Sequence, residues 1–215
     1  MAITLPKLGI SYSPVPKNAC TSIKQMFFHI ENGFEFSPLV RYGRMFHIHN
    51  FYPSDRHAPL SEQDRKTVWK FAIVRDPIKR FVSSYSNRVV FHKELNKSAL
   101  GEENIKLGAR PDPDLEEFVE RIEIYRKASW SIWHHTQPHT FFLGSEPGYF
   151  DRLFTIDQLS EMVSELQARV GSDLNLPHEQ TGGPKIDASS LSANAVEKLQ
   201  KFYQEDYEKY FPSSS

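Results

Sequence analysis

Three short stretches hold the side chains best suited to chemistry. In "SPVPKNACTSIK", residues 13–24, Lys17 precedes two hydroxyls, Thr21 and Ser22. In "VRDPIKRFVSSY", residues 74–85, Arg75 directly follows an apolar run and Ser83 comes later in the same stretch. In "FHIHN", residues 46–50, His47 and His49 occupy alternate positions. Lysine holds an oxyanion as a mobile point charge, and arginine holds one as a bidentate fork. Histidine titrates near neutral pH and suits removal of a proton from a hydroxyl. The chemistry these residues point to is capture of a phosphate-like anion together with a proton transfer.

Positioning the first stretch requires a strand, a loop and a helix. "LGISYS", residues 8–13, reads as a short strand, and Ile23, Met26, Phe27 and Ile30 fall at helical spacing from Thr21 onward. The first amides of a helix have no intrahelical partner, and the helix dipole favours an anion beside them. Ala19 and Cys20 are small enough to let backbone approach a ligand. A nucleoside-triphosphate loop would read G-x-x-x-x-G-K-[ST]. Here no glycine occurs between Gly9 and Gly33, and the lysine precedes the helix, which argues against that loop. The alternative is a plain strand-to-helix turn capped by Thr21 or Ser22, with a solvated Lys17.

The second stretch needs a buried strand ahead of it. "TVWKFAIV", residues 67–74, is β-branched and aromatic, as such a strand should be. Asp76 is then a good N-cap and Pro77 a good first helical residue, with Phe81 and Tyr85 on one face of the helix. In open α/β sheets the ligand crevice lies outside the carboxyl ends of the strands, where Arg75 would stand. The alternative is a structural pair of Arg75 or Arg80 with Asp76, and Ser83 on the helix surface. "MFHIHNF", residues 45–51, reads as extended, which would put Met45, His47 and His49 on one side. Such a histidine pair could bind a metal or supply a base.

The rest of the chain continues the alternation. Asp114 with Glu117 has capping-box spacing, residues 152–156 ("RLFTI") read as a strand, and Gly171 ends a helix through Leu159, Met162, Val163 and Leu166. Residues 191–211 read as one long amphipathic helix. Residues 144–148 and 181–184 read as loops, and the polar segment 94–113 as a loop on the acceptor side. The whole, residues 1–215, is expected to be one α/β domain with a mainly parallel sheet.

Composition narrows the partners. With 26 basic and 27 acidic side chains the net charge is −1, so bulk attraction to nucleic acid or an anionic membrane is not expected. One cysteine in 215 residues excludes an internal disulfide framework and suggests a reducing compartment. No signal peptide and no apolar run of about 20 residues are visible, so a soluble, cytoplasmic protein without membrane insertion is expected.

Taken together, the motifs resemble those of sulfotransferases that use PAPS (3′-phosphoadenosine-5′-phosphosulfate), in particular the carbohydrate O-sulfotransferase branch with the heparan 2-O- and chondroitin/HNK-1 type enzymes. "VPKNACTSIK" is similar to the 5′-phosphosulfate loop and "VRDPIKRFVSSY" to the 3′-phosphate element R-D-P-x-x-R-x-x-S-x-Y. The resemblance implies that Lys17 binds the 5′-phosphosulfate and eases departure of the nucleotide, and that Asn18, Ala19, Cys20, Thr21 and Ser22 cradle the same group. It implies Arg75 and Ser83 at the 3′-phosphate. It also implies a late covering loop, "LPHEQTGGPK", contributing Thr181, Gly182 and Lys185. "FHIHN" resembles the catalytic histidine pair of the 2-O-sulfotransferases, which makes His47 a general base and His49 a second base or acceptor-positioning group; which of them leads stays open. "HHTQPH" is loosely similar to an H-W-x-P-Q stretch through His135, and His134 and His139 are read as structural. The implied fold is a three-layer sandwich with a central parallel sheet, kin to the P-loop nucleotide kinases. The implied reaction is metal-free transfer to a hydroxyl of a carbohydrate or other alcohol. A kinase-like phosphotransferase, a hydrolase with a metal on His47, His49 and His135, and a binding module without turnover are the alternatives.

Overall fold

The computed structural model describes residues 2–177 and 182–212. The chain divides into two compact units, Met1–Arg75 with His139–Glu179 and Asp76–Pro138 with Gln180–Ser215. The first unit opens with β1 (Ile3–Leu5), β2 (Ile10–Ser13), α1 (Cys20–Asn32), β3 (Leu39–Arg41), β4 (Arg44–Phe46), α2 (Ile48–Phe51), α3 (Glu62–Thr67) and β5 (Trp69–Val74). The chain then enters the second unit: α4 (Pro77–Ser84), a π-helical segment Tyr85–Phe91, α5 (Lys97–Lys106), α6 (Leu115–Glu120), α7 (Ile122–Ala128) and α8 (Trp130–His135). It returns to the first for α9 (His139–Leu143), β6 (Arg152–Thr155) and α10 (Leu159–Val170), and ends in the second with α11 (Ala193–Phe202) and α12 (Gln204–Tyr210).

The first unit is built on a four-stranded sheet in the order β1-β2-β5-β6. Its central strands are parallel: Tyr12 pairs with Phe71 and Ser13 with Ala72, while Phe71 pairs with Arg152 across β6. The expected strand at residues 8–13 begins only at Ile10. Gly9 takes the left-handed conformation (φ 63°) and accepts the Trp69 amide through its carbonyl at 2.7 Å. Strand β1 runs antiparallel to β2. It is too short to show an alternation, so spacing could not announce it.

Alternate residues of these strands form one core. Ile10, Tyr12, Phe71, Ile73 and Phe154 are fully buried and pack with Ile23, Met26 and Phe27 of α1 and Met162 and Leu166 of α10. The Phe71 ring stacks on Tyr12 at 5.1 Å and on Trp69 at 4.9 Å. Complete burial of side chains like these contributes about 1.5–3 kcal/mol each. The effect on the site is to clamp α1 and β5, which carry its residues at their ends. A mixed sheet with parallel central strands and flanking helices is the α/β architecture that the sequence resemblance implies.

The second unit is helical among its described residues. Phe81, Phe118, Tyr125, Leu199 and Tyr203 are buried at its centre. Asp76 caps α4 by accepting the Lys79 amide at 2.8 Å, and Pro77 is its first residue, both as the sequence suggests. Asp114 likewise caps α6. Two expectations change. The closing helix is broken at Tyr203 (φ −105°, ψ 23°), whose buried hydroxyl donates to Thr136 O at 2.9 Å. The expected loop at residues 94–113 holds α5, capped by Asn96 through the Ala99 amide. No helix among the described residues is long and apolar enough to cross a membrane.

Candidate active site

The loop between β2 and α1 is strained without glycine. Lys17 (φ 69°) and Ala19 (φ 56°) both adopt the left-handed conformation. This costs an L-residue about 1–2 kcal/mol and is retained where surrounding structure over-determines it, often at ligand sites. Chains that place successive N–H groups in such turns make concavities for anions. The residue at the N-cap of α1 is Ala19, whose methyl cannot accept a hydrogen bond. The alternative of a turn capped by Thr21 or Ser22 does not hold: both lie inside the first turn, and Lys17 is half-buried rather than solvated. Cys20 is buried and its thiol is free.

Asn18 locks the loop to the sheet. It is fully buried, and its Nδ2 donates to Ile73 O of β5 at 2.8 Å. The same nitrogen is 3.2 Å from Nε2 of His139, and the Arg75 amide nitrogen is 3.5 Å from that ring atom. Both neighbours are donors, so Nε2 of His139 accepts and the ring proton sits on Nδ1. His139, fully buried at the start of α9, thus braces the loop and Arg75 at once. The sequence reading of His139 as structural missed this link, because the only signal was a histidine beside a proline.

Arg75 follows β5, at the same carboxyl edge of the parallel sheet as the loop that follows β2. Its Nη1 donates to Lys17 O at 3.3 Å. The Arg75 guanidinium and the backbone of Lys17, distant in sequence, therefore share one edge, where an α/β sheet accommodates its ligand. Asp76 is engaged as the α4 cap and accepts from Tyr207 Oη, and buried Arg80 donates to the carbonyls of His135 and Gln137. The structural pair of Asp76 with Arg75 or Arg80 is thus replaced by these contacts.

The histidine pair is positioned differently from the extended reading. Strand β4 stops at Phe46, and His47 is the N-cap of α2, its amide donating to Asn50 Oδ1 at 2.8 Å. Asn50 competes for the backbone at a point where spacing alone suggests continued strand. The rings of His47 and His49 nevertheless meet, stacked at 5.0 Å with 25° between planes. His49 is exposed, yet its Nε2 is 3.2 Å from Thr21 Oγ1 and its Nδ1 is 3.0 Å from Lys24 Nζ. Lys24, fully buried, is the second residue that sequence reasoning left out. In the first unit the structure thus joins Arg75 to Lys17 directly and to Asn18 through His139, and separately joins Thr21 to His49, on which His47 stacks.

The remaining expected residues belong to the second unit. Ser83 lies half-buried on α4. The carbonyl of Gly182 accepts from Asn87 Nδ2 at 2.9 Å, and Ser86 Oγ donates to Pro184 O at 2.5 Å, so residues 182–184 are pinned to the π-helical segment. Gly183 is required there: at φ 114° a Cβ would come within 2.5 Å of Ser86 O. Lys185 is exposed, and Thr181 lies outside the described residues. His135 Nδ1 donates to Ser131 O within its own helix. Among the described residues no group of three or more His, Cys, Asp or Glu side chains is arranged to hold a metal ion.

A family model described as the sulfotransferase family matches residues 1–212. The chain belongs to the sulfotransferase family. No curated protein and no solved structure matches it. Membership carries sulfuryl transfer in general, and with it a hydroxyl-bearing acceptor. The phosphotransferase and metal-hydrolase alternatives lose their ground. Sulfotransferases generally take the sulfuryl group from PAPS. The donor set fits such an anion: a left-handed loop with a lysine, a helix N-terminus whose N-cap has no polar side chain, and an arginine on the same sheet edge.

Proposed function

We propose that this sulfotransferase moves the sulfuryl group of PAPS to a hydroxyl of a carbohydrate or other alcohol by in-line transfer, with His47 as the base. The observation that carries the reading is the Arg75–Lys17 contact at 3.3 Å, which ties the two motifs that resemble PAPS-binding elements to one sheet edge. PAPS supplies a sulfuryl group bound to a phosphate leaving group. Lys17 is suited to neutralise charge that builds on the departing phosphate oxygen, an interaction stronger in the transition state than before it. The residues Asn18 to Ser22 cradle the 5′ end through backbone and hydroxyl donors. Arg75 binds the 3′-phosphate as a fork.

His47 removes the proton that makes the acceptor hydroxyl a poor nucleophile. Its half-buried ring is held by its place at the start of α2 and by stacking on His49. A general base contributes about 10²–10⁴-fold. His47→Ala is therefore expected to lower sulfuryl transfer by that order while leaving affinity for the product nucleotide, 3′-phosphoadenosine-5′-phosphate, unchanged. Near-normal transfer in this variant would remove the base assignment.

A further inference from the structure

Lys24 takes no part in the roles assigned above, yet it is fully buried beside them. It stands one helical turn beyond Thr21 on the same face of α1. Its Nζ is 3.0 Å from Nδ1 of His49 and 2.8 Å from Ser54 Oγ. A buried ammonium is costly unless its hydrogens find acceptors, and it can itself accept nothing. The imidazole nitrogen facing it is then the unprotonated one, and the ring proton lies on Nε2. That atom faces Thr21 Oγ1 at 3.2 Å. Because Thr21 Oγ accepts this proton, its own hydroxyl hydrogen remains to be donated elsewhere.

We propose that Lys24, His49 and Thr21 form a relay of hydrogen-bond donors running from the interior of the first unit to the start of α1, ending in a Thr21 hydroxyl that donates to the 5′ anion of the nucleotide. The relay makes Lys24 and His49 positioning residues and removes His49 as the base, because its outward nitrogen carries a proton. Chains of hydrogen bonds aligned in one direction polarise one another, which strengthens the terminal donor. The inference rests on the PAPS reading for the identity of the anion; the tautomer of His49 stands apart from it. The groups facing the Lys24 ammonium are His49, Cys20 and Asp55; burial pulls its pKa down while Cys20 and Asp55 act to raise it. A neutral Lys24 amine would reverse the relay: Nζ would accept from Nδ1–H, and Nε2 would be bare.

The test has two readouts on the full chain. Nitrogen-15 spectra of the histidine side chains, with His49 assigned through His49→Gln, are expected to show Nε2 protonated and Nδ1 unprotonated at neutral pH. Lys24→Met is expected to abolish that preference. Calorimetry with 3′-phosphoadenosine-5′-phosphate is expected to give an affinity about tenfold weaker in His49→Leu, the size of one lost hydrogen bond. His49→Gln, whose amide can replace the Nε2–H, is expected to stay within about threefold of the parent on the same scale. His49 is exposed and Lys24 keeps Ser54 Oγ as an acceptor in both His49 variants, so these are expected to fold even if Lys24→Met does not. A protonated Nδ1 with a bare Nε2, or unchanged affinity in His49→Leu, would overturn the relay. Absence of nucleotide binding by the parent protein would instead refute the PAPS reading, while the spectra still decide the tautomer.

Discussion

Glycine and alanine at position 17 should reverse their usual order of stability. In most helices and strands glycine is less stable than alanine by about 0.5–1 kcal/mol, because it loses more freedom on folding. Residue 17 has φ 69°, a conformation that costs alanine about 1–2 kcal/mol and glycine almost nothing. The extra chain entropy of glycine returns about 0.4–1 kcal/mol of that advantage. Lys17→Gly is therefore expected to be more stable than Lys17→Ala by about 0.5–1 kcal/mol, and to melt about 1–4 °C higher in a chain of this size. Both variants lack the ammonium, so both should lose sulfuryl transfer by about 10²–10³-fold, the usual cost of one transition-state donor. Affinity for the product nucleotide should fall less than turnover in each. Thermal melts and transfer assays on the pair separate the two causes. A less stable glycine variant would refute the left-handed loop. Retained transfer in both, or an equal loss of transfer and nucleotide affinity, would refute the role of the lysine.

Two further outcomes follow from contacts in the first unit. His139→Leu leaves Asn18 Nδ2 and the Arg75 amide without their shared acceptor, and should cost about 1–3 kcal/mol in urea unfolding. His139→Gln can offer an oxygen in the same place and should cost less; equal losses would mean that Nε2 is not the acceptor. Asp151, although partly desolvated, has its pKa held below 3.8 by hydrogen bonds and charge from Lys70. A carboxylate with a depressed folded-state pKa stabilises above its unfolded value and loses that contribution as pH falls through the folded one. Asp151→Asn should therefore flatten the stability loss below about pH 3.8 and show its largest difference from the parent above it, by about 1 kcal/mol or less because the side chain is partly exposed. An unchanged acid limb would show that the pair is not formed.

The sequence was readable wherever a local rule governs the outcome. Asp76 and Pro77 opening α4, Asp114 capping α6 and Gly171 ending α10 in the left-handed conformation are each decided within a few residues. So is β5, whose β-branched and aromatic run suits a buried parallel strand. Features set by distant partners were not legible. The break at Tyr203 accompanies a hydroxyl bonded to Thr136, far away in sequence. The bracing by His139 depends on α9 returning to meet the loop after β2. The missing glycines of that loop argued against an ordinary triphosphate loop, but spacing could not show that Lys17 and Ala19 take up the left-handed turns themselves. His47 and His49 were expected to meet as strand neighbours, and they do meet, around the start of a helix.

The central claim, that the shared edge of Lys17 and Arg75 is a PAPS site, is tested most directly by calorimetric titration of 3′-phosphoadenosine-5′-phosphate and ATP into the parent protein and Arg75→Ala. The account predicts that the parent prefers the 3′-phosphorylated nucleotide and that Arg75→Ala weakens its binding by about tenfold or more, as expected for loss of a charged hydrogen bond. Preference for ATP, or unchanged affinity in Arg75→Ala, would contradict it.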